Sequence, residues 1–160
     1  MIYDSEKVVR VLFPNKILHG RVMGGAFILR TQRKEESISV FRMSGPTFHK
    51  DINRLDANRN LYCCVLKVSD IRGATIIQGE NRIQCDIIET GDINETSHAG
   101  ITISINNQQL VGGQESNIIL KEKSGSTVDA LILAMQHRLA GLAQKGLARV
   151  NDLTSEHTLW

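Results

Sequence analysis

Three features of the sequence predict an α+β fold. Strand-like segments follow one another without helices between them, which argues for antiparallel pairing over a doubly wound parallel sheet. Near the C-terminus, apolar residues recur every three or four positions, the mark of an amphipathic helix. Only 4% of the residues are aromatic while 41% are hydrophobic, so the core must be built from Ile, Val and Leu. The expected architecture is a mostly antiparallel sheet of about six or seven strands. It carries a short helix in the first half and a long C-terminal helix packed on the sheet. Residues 1–150 are expected to form one domain, with 151–160 a C-terminal tail.

Taken in order, Val8, Val9, Leu12 and Phe13 fit either a strand or one side of a short helix, and Pro14 ends either one. Gly20 to Gly25 is glycine-rich but lacks the Gly-Lys-Ser/Thr of a phosphate loop, so a turn is expected there. Ala26–Thr31 and Ser37–Arg42 read as a strand pair joined by a charged loop. From Thr47 to Asn58 a short helix is expected, with Phe48, Ile52 and Leu55 inward and Asp51, Arg54 and Asp56 outside. Leu61–Val68 is the candidate central strand. Ala74–Gln78 and Arg82–Glu89 flank Gly79-Glu80-Asn81 as a hairpin.

After a polar loop, Ser97–Asn107 alternates with period two, placing Ile101, Ile103 and Ile105 towards a core. His98, Gly100, Thr102 and Ser104 share the other, wetter face. A glycine beside the histidine admits close approach of a backbone or a ligand. A short strand is expected over Asn117–Lys121, and Lys121–Gly125 is a linker by composition. Ser126 and Asp129 have the form of a capping box. Behind them Val128, Leu131, Ile132, Met135, Leu139, Leu142, Ala143 and Leu147 predict one helix of about six turns.

The charge balance, 19 basic against 17 acidic residues, argues against binding driven by bulk charge. Cys63, Cys64 and Cys85, an odd set with two adjacent, form no disulfide framework and no Cys-x-x-Cys zinc pair. Reduced thiols in a cytoplasmic protein are the simplest reading. The charged start of the chain is unlike a signal peptide, and no apolar run has the length of a membrane span. His19, His49, His98, His137 and His157 lack the spacing of paired ligands, so neither a metal nor another cofactor is expected.

The segment His98-Ala-Gly-Ile-Thr-Ile-Ser-Ile-Asn-Asn-Gln resembles the histidine strand of NlpC/P60-type cysteine peptidases. That resemblance implies a catalytic His98 paired with Cys63, Cys64 or Cys85. Against it, all three cysteines lie in strand-like runs rather than at the start of a helix. Val8–Pro14, Ser37–Arg42 and Ser97–Ile101 together resemble a group of small bacterial proteins of unassigned activity, which implies a bacterial or phage setting. Arg30, Arg33 and Lys34 cluster near a strand end as a candidate binding patch, diluted by Glu35 and Glu36. Trp160, the sole tryptophan, is a candidate anchor for a partner.

The function expected is that of a non-catalytic binding or accessory subunit, with a protein as first partner, nucleic acid as second, and no membrane. A homo-oligomer is compatible with this. The alternatives are a small Cys/His hydrolase or transferase using His98, and a nucleic-acid-binding module.

Overall fold

His98–Ile105 forms the strand β8, around which the sheet is assembled in the computed structural model of the chain. The structure describes residues 1–29, 35–57, 60–91, 96–112 and 127–155. On one side β8 pairs with β4 (Ile38–Arg42), with His98 opposite Phe41 and Ile101 opposite Ile38. On the other it pairs with β7 (Asn81–Glu89), with Ile103 opposite Cys85. The sheet continues outward through β6 (Thr75–Gln78) at one edge. In the other direction come β1 (Lys7–Leu12), β5 (Tyr62–Lys67) and the short β10 (Leu147–Arg149). β9 (Gln108–Gln109) turns back on the end of β8, so among the described residues the sheet has eight strands, every pairing antiparallel. β2 (Ile17–Leu18) and β3 (Arg21–Val22) make a separate two-stranded ribbon. Its turn holds His19 and Gly20 at positive φ.

The period-two pattern divides the side chains between two cores. Ile101, Ile103 and Ile105 join Val8, Leu66, Ile83 and Ile87 in the larger one. It is covered by α2 (Val68–Gly73) and the long C-terminal helix α3 (Thr127–Gln144), whose Val128, Leu131, Met135, Leu139 and Ala143 are all buried. On the other face Val9, Phe41 and Cys63 meet Phe48 and Ile52 of α1 (Phe48–Asp56) and Val150 and Leu153 of α4 (Val150–Ser155). The sheet is thus the middle of three layers.

Several local expectations are corrected. Among the described residues the expected pairing of Ala26–Thr31 with Ser37–Arg42 is not found: Gly24–Phe27 is a 3-10 turn, and β4 finds its partners in β1 and β8. The C-terminal helix ends at Gln144, before Leu147, because Gly146 and β10 take hydrogen bonds with β5 instead. Gly146 lies so close to β5 that a Cβ there would stand 2.5 Å from the Val65 carbonyl oxygen. Val150–Ser155 is helical where no helix was expected, and α2 was likewise hidden between two strand-like runs. Asp51 and Asp56, expected outside α1, are buried. Thr102, placed by its alternation on a wet face, is 5% exposed. The expected strand Asn117–Lys121, the linker to Gly125 and the Ser126 cap lie outside the described residues.

Candidate functional site

β1 and β4 begin as a ladder and then part. Their register joins Val8 to Arg42 and Val9 to Phe41, and no further pair follows. β1 meanwhile remains paired with β5 over its whole length. The Arg10 side chain fills the opening. Its Nη1 donates to the Ser39 carbonyl at 2.8 Å and its Nε to the Ala26 carbonyl at 3.2 Å. A guanidinium thus satisfies a carbonyl that a neighbouring strand would otherwise meet.

On the α1 side the divergence leaves a cleft of about 250 Å³. Val11, Phe41, Leu55 and Leu61 give it an apolar floor, the half-exposed Phe13 stands at its rim, and Arg10, Arg54, Ser39 and His98 supply the polar groups. A second opening, of about 230 Å³, shares Arg10, Val11 and Phe13 and is completed by Leu12, Lys16, Gly25, Ala26 and Ile28.

His98 is held on three sides. Phe41 meets its ring edge-to-face with centroids 5.3 Å apart. The Ser39 hydroxyl lies 2.9 Å from Nε2 and the Thr90 hydroxyl 2.5 Å from Nδ1. Hydroxyls both donate and accept, so this pair accommodates either tautomer. The space beside Gly100, expected to admit a backbone or a ligand, is taken instead by the Ser37 side chain, whose Cβ would stand 2.5 Å from a Cβ at that position. The turn leading into β8 is fixed from behind. Ser97 is fully buried and its hydroxyl donates to Asp51 Oδ2, as does that of Thr47 at 2.7 Å. Asp51 Oδ1 has no hydrogen-bond partner among the described residues.

The structure does not bring His98 together with a thiol. Cys63 and Cys64 lie on β5, three strands from β8, about 14 Å at the usual strand spacing. Cys85 points into the larger core and faces Ile103, five residues along β8 from His98, a run of about 17 Å. All three are free and buried, and burial pushes each thiol up to about 12. A thiolate is therefore scarce at neutral pH. Denaturing titration is expected to find three thiols, with none reacting quickly in the native protein. One fast native thiol would contradict this placement.

Arg30, Arg33, Lys34 and Trp160 lie outside the described residues. Among the described residues no group of three or more His, Cys, Asp or Glu side chains is arranged to hold a metal ion. No described helix is long and apolar enough to cross a membrane. What sequence reasoning missed is the company of His98. Ser39 and Phe41 share a parity in β4, but nothing local reveals that β4 lies beside β8, nor that Arg10 fills the gap next to them. Comparison of the chain with protein-family models, curated proteins and solved structures found no match.

Proposed function

We propose that this protein is a non-catalytic binding or accessory subunit, working in the cytoplasm within a bacterial or phage protein assembly. Its cleft would receive a partner segment that sets an acidic group beside an apolar side chain. The observation that carries the reading is the pairing of Arg10 and Arg54 with the floor of Val11, Phe41, Leu55 and Leu61 in one small cleft. Guanidinium groups favour carboxylates through charge-assisted hydrogen bonds, and the apolar floor suits an aliphatic or aromatic neighbour.

A panel of short peptides tests it. Peptides with Asp or Glu beside Phe or Leu should bind, and their Asn or Gln counterparts about tenfold more weakly. Arg54→Glu should abolish binding while the protein stays folded, because Arg54 is exposed. Equal binding of acid and amide peptides would sink the proposal. The contact between Ser39 and His98 favours a second reading, a serine hydrolase. Labelling of Ser39 by a fluorophosphonate, with ester turnover lost in Ser39→Ala, would replace the binding subunit by that enzyme.

A further inference from the structure

We infer that a different cleft, at the end of the β1–β5 ladder, binds an oligophosphate. It has a volume of about 320 Å³ and is lined by Lys7, Lys67 and Lys145 together with Val65, Leu66, Asp70, Leu142 and Gly146. Lys7 and Lys67 are direct partners across the antiparallel ladder. Like charges in that position oppose folding, because their Cβ atoms are held close and on one face. Lys145 is brought to the same cleft by the turn between α3 and β10. That turn cannot drift away. Gly146 donates its N–H to Ala143, accepts from the Val65 N–H at 3.0 Å, and lies against the β5 backbone.

Elsewhere in this region the protein neutralises its cations. Arg42 is paired with Glu6 and Glu89, and Arg72 with Asp4 and Asp86. Those acids are committed, although Glu6 adjoins Lys7 in the chain. Among the described residues Asp70 is the one carboxylate lining the cleft, set against three ammonium groups. None of these three has a side-chain hydrogen bond or ion pair among the described residues. An anion with several charged oxygens relieves the Lys7–Lys67 opposition and engages Lys145 at once, which a singly charged ion does less well. The volume suits two or three linked phosphates, either free or at the end of a nucleotide. This site is independent of the cleft at His98, so either assignment stands or falls without the other.

Calorimetric titration of the full chain with pyrophosphate, tripolyphosphate, ATP and sulfate at matched ionic strength tests the inference. Pyrophosphate and tripolyphosphate should bind more tightly than sulfate, and more weakly as salt is raised. Lys67→Gln and Lys145→Gln should each weaken pyrophosphate about tenfold, whereas Lys50→Gln, on the exposed side of α1, should leave it unchanged. ATP binding as tightly as tripolyphosphate makes the phosphate chain the determinant, and much tighter binding of ATP identifies a nucleotide as its source. Without ligand, Lys67→Gln should melt above the wild type, because the opposed pair is gone. Equal affinity for sulfate and pyrophosphate, or equal weakening by Lys50→Gln and Lys145→Gln, would overturn the site. So would a lower melting temperature for unliganded Lys67→Gln.

Discussion

Ile103→Asp is expected to leave no folded protein at room temperature. Ile103 is 1% exposed, lies in the middle of β8 and joins the larger of the two cores. A carboxylate there would have no described cation beside it and would remove a full aliphatic side chain as well. Unpaired buried charges belong to the small class of substitutions that cost more than about 4 kcal/mol. A whole domain is held by only about 5–15 kcal/mol. Ile103→Val keeps the shape and should cost about 1 kcal/mol. The matched control is Ser104→Asp, on the opposite face and partly exposed, which should lose at most about 1 kcal/mol. Thr102, on the same face as Ser104, cannot serve as that control because it is itself only 5% exposed. Thermal melts followed by circular dichroism decide the matter. Similar losses for Ile103→Asp and Ser104→Asp would reverse the assignment of faces.

The second large effect is expected at Glu6. Its carboxylate is 10% exposed and takes two parallel hydrogen bonds from Arg42, Nε to Oε2 and Nη2 to Oε1, each 2.9 Å. The Ser44 hydroxyl and the Tyr3 N–H also donate to it, at 2.8 and 2.9 Å. Burial by itself would raise this carboxyl. The Arg42 hydrogen bonds, the Tyr3 and Ser44 donors and the Arg42 charge outweigh burial and lower it from 4.5 to about 2.

Because the folded value lies below the unfolded one, the stabilisation is complete above pH 4.5 and is lost as pH falls towards about 2. Linkage caps the contribution at about 3 kcal/mol at neutral pH, and solvent screening of the exposed part of the clasp brings it to about 2 kcal/mol. Glu6→Gln should lower the neutral-pH stability by a similar amount and flatten the decline between pH 4.5 and 2. A wild-type melting curve insensitive to acid in that window would show that the Arg42 clasp is weak in solution.

The sequence carried the local parts of this fold and not the distant ones. β8 was legible because its alternation is nearly unbroken from Ala99 to Ile105, and the β6–β7 hairpin because Gly79 supplies the positive φ of its turn. The stripe of α3 was legible for the same reason, its period being set within the helix itself. Its end was not. Gly146 terminates the helix by packing against Val65, a residue about eighty positions earlier that no local pattern points to. Asp51 reads as a surface acid on α1 until Ser97 is brought down upon it from the far side of the chain. The same limit hid the surroundings of His98. Its partner Ser39 is separated from it by 59 positions, and the choice of β4 as neighbour to both β1 and β8 is a property of the whole sheet. The basic cluster at Arg30, Arg33 and Lys34 and the anchor at Trp160 fall outside the described residues.

Arg10 gives the parted strands a further consequence. The carbonyls it satisfies, Ser39 in β4 and Ala26 in the 3-10 turn, belong to segments that meet different layers of the molecule. Ser39 faces the cleft beneath α1, whereas Ala26 and Phe27 are packed in the core beneath α3. The bond to Ser39 is exposed, so water can take its place, whereas the bond to Ala26 is partly buried and depends more on the guanidinium. Arg10 is thus a crossbar through the gap, tying the strand that borders the cleft to the turn packed beneath the C-terminal helix.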